Sequence, residues 1–147
     1  MTTTADAPVR GAPWHFWLVA VLGLLWNGFG GFDYTMSHLQ GDAYYRSAGM
    51  SDAQIAFMHT YPSWMHAVWA IGVWGSVAGA VLLLLRRRWA THAFAVSLLG
   101  AIGNFAYVAS SPAAAQAMGV MMPVVIIAIC LFFVWYSWTM TKRGVLR

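Results

Sequence analysis

The chain has 147 residues, of which 61% are hydrophobic and only 8% charged. A water-soluble domain carries roughly 25% charged residues, so a soluble fold is excluded. The formal net charge of +4 does not point to nucleic acid, because the basic residues stand in short stretches beside long apolar runs, as membrane topology requires.

Residues 1–13 are small, polar and proline-containing, a composition that favours a disordered tail. The first apolar run extends from Trp14 to about Phe32 without a formal charge, and about 20 such residues span a bilayer. A cleaved signal peptide would have a shorter core and a small-residue cleavage site. This run ends instead in Gly30-Gly31-Phe32-Asp33-Tyr34, so it is read as a retained helix. Residues 35–51 are polar and read as a loop. Ser51-Asp52-Ala53-Gln54 then has the capping-box pattern, which predicts a short helix to about Tyr61. Pro62 ends that helix or kinks it into the next.

The second spanning run extends from Pro62 to about Leu85 and stops at Arg86-Arg87-Arg88. The third runs from Trp89 to about Ala109 and stops at Ser110-Ser111-Pro112. After a short Ala-rich connection, the fourth runs from about Met118 to Met140 and stops at Lys142-Arg143. Pro123 lies near its start, where a proline costs little. The expected fold is therefore all-α: a polytopic membrane protein of four transmembrane helices, with a short periplasmic helix before the second. The domain plan is an N-terminal tail (1–13), a membrane domain (14–140) and a basic C-terminal tail (141–147). With Arg86 to Arg88 in the cytoplasm, four crossings put both ends there too, and only Arg46 of the basic residues falls outside. That is the positive-inside pattern of an inner-membrane protein.

Helices in lipid associate through small residues that admit close approach and through polar residues that bond across the contact. The second helix offers Gly72, Ser76 and Ala80 in one register and Gly75 with Gly79 in another. The first lines up Gly23, Asn27, Gly30 and Tyr34, and the third lines up Ser97, Gly100, Asn104 and Tyr107. The fourth is Val, Ile, Leu and Phe nearly all round. The expectation is a tight three-helix contact with the fourth helix facing lipid or a partner. Its aromatic end, with Phe133, Trp135 and Trp138, is the candidate partner face. The other tryptophans near run ends read as an interfacial aromatic belt.

Rise per residue puts Asn27 and Asn104 about 20 Å from the inner boundary, where the two amides can meet. Asp33, His66 and Tyr107 fall near the outer boundary, with Tyr34 and His59 nearby. These seven form a candidate polar cluster, either an interhelical bond fixing register or a site for a polar solute. His38, His59, His66 and Asp33 are a conceivable metal set, but their spacing matches no metal motif. His15 and His92 are a conceivable haem pair. The single cysteine, Cys130, and the lack of Glu remove disulfides, thiolate clusters and the H-E-x-x-H zinc motif. With no Ser-His-Asp spacing, phosphate loop or dinucleotide fingerprint, the chain is read as non-catalytic and without a cofactor, haem or metal being the alternative.

Leu25-Trp26-Asn27-Gly28-Phe29-Gly30-Gly31-Phe32-Asp33-Tyr34-Thr35-Met36 and Tyr61-Pro62-Ser63-Trp64-Met65-His66-Ala67-Val68-Trp69-Ala70, followed by Gly72-Val73-Trp74-Gly75, resemble a group of small four-helix inner-membrane proteins of proteobacteria. The resemblance covers most of the chain. It implies a bacterial inner-membrane setting, and some members are catalogued as sugar transporters. The tryptophan-rich sensory proteins, with five spans and other motifs, fit less well. Two functions follow as expectations: an accessory subunit of a larger inner-membrane complex, or a small-solute transporter, sugar included, that self-associates. The expected partners are lipids, other membrane subunits or further copies of the chain, and not nucleic acid.

Overall fold

A computed structural model describes residues 11–147; most of the expected N-terminal tail, with Arg10, lies outside the described residues. Among the described residues seven helices follow one another: α1 (Trp14–Gln40), α2 (Asp42–Ser47), α3 (Asp52–His59), α4 (Ser63–Leu84), α5 (Ala90–Ala109), α6 (Pro112–Met118) and α7 (Met121–Lys142). Four of them, α1, α4, α5 and α7, are long and apolar enough to cross a membrane. This is the expected all-α, four-span membrane architecture. Helix is what such runs must form, since lipid offers nothing to bond with backbone polar groups.

The short elements are set by local chemistry. Ser51 caps α3 in a complete capping box, its hydroxyl accepting from the Gln54 N–H and the Gln54 side chain accepting from the Ser51 N–H. Pro62, extended at ψ 152°, separates α3 from α4. Ser111 caps α6, whose first residue is Pro112, the position where a missing N–H costs nothing. Two expectations need correction. The first span does not stop near Phe32 but continues to Gln40, and residues 42–47 within the expected loop are helical. Twenty-seven residues make a helix of about 40 Å, longer than the ~30 Å hydrocarbon core. Its last turns therefore stand beyond the membrane, until Gly41 at φ 53° turns the chain into α2.

Helix α1 packs on α4, α4 on α5, and α5 on α7. The α4–α5 seam is a backbone contact. A Cβ on Gly100 would stand 2.8 Å from the Gly72 Cα, and one on Gly75 would stand 3.3 Å from the Ser97 nitrogen. The Ser97 hydroxyl donates to the Gly72 carbonyl at 2.6 Å across the same seam. Small residues bring the two backbones close enough for that bond.

The buried core lies toward one end. Phe16, Ala20, Ala80, Leu83, Ala90, Phe94, Phe133, Tyr136, Met140, Val145 and Leu146 form one cluster, at the end that carries Arg86 to Arg88. The C-terminal segment is part of it, not a free basic tail. Arg88 N–H donates to the Arg147 carbonyl at 2.7 Å, Arg147 N–H to the Arg86 carbonyl at 2.8 Å, and Arg86 Nε to the Val145 carbonyl at 3.0 Å. Val145 and Leu146 are thereby held against the helices.

Candidate functional site

Within the core, Phe94 of α5 and Phe133 of α7 stack with ring centroids 5.0 Å apart and planes at 16°. Each ring lies over a glycine of another helix. A Cβ on Gly79 would meet the Phe94 ring at 2.8 Å, and one on Gly23 would meet Phe133 at 2.7 Å. The two glycines supply the room for the stacked pair, which forms a floor across all four spans. Below it, His15 of α1 bonds the Tyr136 hydroxyl of α7 at 2.8 Å, closing the arginine end.

Above the floor the spans part. Helices α1 and α7 share no interface comparable to the other neighbouring pairs, and a cleft of about 520 Å³ opens between them, backed by α4 and α5. Helix α1 contributes Trp26, Asn27, Phe29, Gly30 and Asp33; α4 contributes Trp69, Gly72, Val73 and Ser76. Helix α5 adds Ser97, Gly100, Ala101 and Asn104, and α7 adds Met122, Pro123, Ile126 and Cys130. The size is that of a small-molecule site, and so is the make-up, an apolar wall with a few polar groups.

Each polar group has a defined partner or a free valence. Asn27 donates to the Gly23 carbonyl of its own helix at 2.7 Å. Asn104 sits beside the hydroxyl of Tyr61. The expected direct bond between the two amides is therefore absent among the described residues; both line the cleft instead. Ser76 donates to Val73 of its own helix at 2.7 Å, and the Ser97 hydroxyl lies 4.0 Å from the Cys130 sulfur. Asp33, half-buried, accepts from the Tyr44 hydroxyl of α2 at 2.8 Å. That bond, then burial and the carboxylate charge, hold the Tyr44 phenol above its ordinary pKa. Tyr61 is also raised, chiefly by burial.

The rest of the predicted polar cluster, Tyr34, His59, His66 and Tyr107, does not line the cleft. Tyr34, His38, His66 and the cleft-wall residue Trp69 form an aromatic cluster, with His38 and His66 edge to face at 5.4 Å and Tyr34 and Trp69 edge to face at 4.9 Å. Tyr61 lies between His66 and Tyr107 at 5.8 and 5.4 Å. His66 Nδ1 is buried without a hydrogen-bond partner. His59 instead pairs with Asp42 at 2.9 Å on the exposed surface. Asp33 thus meets Tyr44 and not His66. Among the described residues no three His, Cys or Asp side chains gather as a metal set. His15 turns to Tyr136, while the exposed His92 rests on Trp89 at 5.0 Å.

Two further assignments change. Gly30 was expected at a helix contact, but a Cβ there would meet nothing within 4 Å; its side faces the cleft. Gly23, Gly72, Gly75, Gly79 and Gly100 do pack closely. Phe133 was expected on an outer partner face, but it is 6% exposed and buried in the floor, whereas Trp135 and Trp138 remain 58% and 49% exposed. Sequence reasoning did not single out Trp26, Trp69 and Cys130 as cleft residues, or Tyr44 as the partner of Asp33. Trp26 falls on the face of Gly30 and Asp33, Trp69 on that of Gly72, and Cys130 on that of Ser137. The Tyr44 contact depends on α2, which polarity alone did not reveal. In comparisons with family models, curated proteins and solved structures, nothing matches this chain.

Proposed function

We propose that this integral membrane protein binds a small solute in the cleft between α1 and α7 and moves it across or within the membrane. The observation that supports the reading is the cleft itself: about 520 Å³, bounded by all four spans, floored by stacked phenylalanines and furnished with two amides, two hydroxyls and one carboxylate. Intramembrane polar groups of this kind mark solute paths more often than lipid-facing surface. Four helices make a small carrier, so a working unit of more than one copy fits the reading. The resemblance to inner-membrane proteins catalogued as sugar transporters points the same way.

The test uses Gly30, whose side is open. Gly30→Phe should fill the cleft without disturbing a neighbour. Purified protein is heated with a panel of sugars, amines and amphiphiles, and solutes that raise the melting temperature are then followed by uptake into proteoliposomes. The reading requires at least one class to stabilise the wild type and not Gly30→Phe. A panel that shifts neither protein speaks against it.

The second reading is an accessory subunit of a larger complex. It draws on the exposed outer side of α7, where Trp135 and Trp138 stand beside Leu131; native-gel migration of Trp135→Ala and Trp138→Ala in solubilised membranes tests it. Under either reading we place the chain in a bacterial inner membrane with the arginine end in the cytoplasm. Lys142, Arg143 and Arg147 share that end with Arg86 to Arg88, in line with positive-inside topology. Reporter fusions at Arg88 and Arg147 should read cytoplasm and those at Gly49 and Ala114 periplasm; a cytoplasmic signal at Gly49 would refute this topology.

A further inference from the structure

Three aspartates fall among the described residues, and two have basic side chains as partners. Asp52 pairs with Arg46 at 3.1 Å and Asp42 with His59 at 2.9 Å. The third, Asp33, lies in a spanning helix and faces the cleft, and among the described residues no cation reaches it within ion-pair distance. Its one described bond comes from a neutral phenol, to Oδ1, so Oδ2 keeps its full accepting capacity. Among the described residues, no Lys, Arg or His lines the cleft. A carboxylate at the boundary end of a membrane-embedded cleft, with no paired charge, is placed to serve a passing ion. The cleft's lining also carries three aromatic side chains, Trp26 and Phe29 of α1 and Trp69 of α4. Aromatic faces attract a cation, and they do so most strongly when it is stripped of water.

We propose that the cleft selects small organic cations, an ammonium group on a compact apolar body. Asp33 is the counter-ion, and the Trp26, Phe29 and Trp69 rings receive the alkyl and aryl parts. This deepens the solute-binding reading and rests on it. The Tyr44 hydroxyl holds the carboxylate in place from outside the membrane span, leaving the second oxygen to the ligand. An anion would meet an unopposed carboxylate in a site of low dielectric and be repelled. A neutral solute of the same size gains only the apolar contacts.

The probes are three water-soluble molecules of similar size: benzyltrimethylammonium, benzyl alcohol and benzenesulfonate. Binding to the full-length protein in lipid nanodiscs is read from saturable changes in tryptophan fluorescence, with Gly30→Phe as the filled-cleft control. Benzyltrimethylammonium should bind the wild type about ten-fold or more tightly than benzyl alcohol, and benzenesulfonate should not bind. Asp33→Asn, which still accepts from Tyr44, should bring the cation down to the level of the alcohol. If the alcohol binds as well as the cation, and Gly30→Phe abolishes both, the cation preference is wrong while the solute cleft stands. If no probe binds and Gly30→Phe behaves as wild type, both are wrong. The charge series on the wild type alone decides the matter should Asp33→Asn fail to fold.

Discussion

The two halves of the bundle are built from the same four helices and behave as different materials. Toward the arginine end every close approach is filled. Phe94 and Phe133 seat on Gly79 and Gly23, Phe16 and Ala80 are fully buried, and the C-terminal segment seals the end through main-chain bonds to Arg86 and Arg88. Toward the other end a glycine of α1, Gly30, has nothing opposite it; Asn27 and Ser76 bond within their own helices, and Asp33 and Asn104 meet tyrosines outside the four spans. The difference teaches that a small residue in a membrane helix has two uses. Opposite a large ring or another glycine it makes a contact; opposite nothing it makes room.

Leucine substitutions at two glycines sharpen the contrast most. Gly79→Leu would drive a side chain into the Phe94 ring, 2.8 Å from where a Cβ begins, and overpacking a ring already stacked on Phe133 has no cheap relief. Folded, monodisperse protein on size exclusion should be nearly lost. Gly30→Leu should leave the yield unchanged. Equal losses at both positions would mean that the far half is as tightly packed as the near half.

The next effect is at the floor. Phe133→Ala removes a ring that is 6% exposed and should cost about 3 kcal/mol or more in reversible unfolding. Trp135→Ala, at the outward-facing neighbour two residues along α7, should stay within about 0.5 kcal/mol. A smaller loss, about 2 kcal/mol, is expected on removing Val145 to Arg147, which takes Val145 and Leu146 from the core.

The smallest effect is at the far end. The Tyr44 phenol, bonded to Asp33, has its pKa above the ordinary tyrosine value of 10.0. A raised pKa in the folded state means that the bond contributes fully below that value and is lost as pH rises through the shifted one. An alkaline titration followed by phenolate absorbance should show Tyr44 among the late-ionising tyrosines, moving part of the way back toward the ordinary value in Asp33→Asn, which removes the charge but keeps an acceptor.

Much of this fold can be read from the residues. The four apolar runs, the stop at Arg86 to Arg88 and the Ser51 capping box each have a local physical cause, and each is where the sequence implies. Three features are not local. Helix α1 outlasts its apolar run because the membrane boundary and the helix end are different limits; Asp33 and Tyr34 mark the first, Gly41 the second. Helix α7 is apolar nearly all round, so no stripe tells which side turns inward, and the burial of Phe133 follows only from Gly23 across the bundle. Asn27 and Asn104 lie at matching depth, as the rise per residue implies, but depth does not say whether two helices touch. Here they stand apart, and the space between them becomes the site.

The claim that the far half is open and the arginine half closed is tested most directly by cysteine accessibility. In a Cys130→Ala background, single cysteines are introduced at Ala101, which lines the cleft, and at Ala80, which is 0% exposed below the floor. Membranes are treated with N-ethylmaleimide and labelling is followed over time. Ala101→Cys should label at least about ten times faster than Ala80→Cys, since a maleimide needs an accessible, ionisable thiol. Equal rates at the two positions would contradict the division of the bundle into a sealed half and an open one.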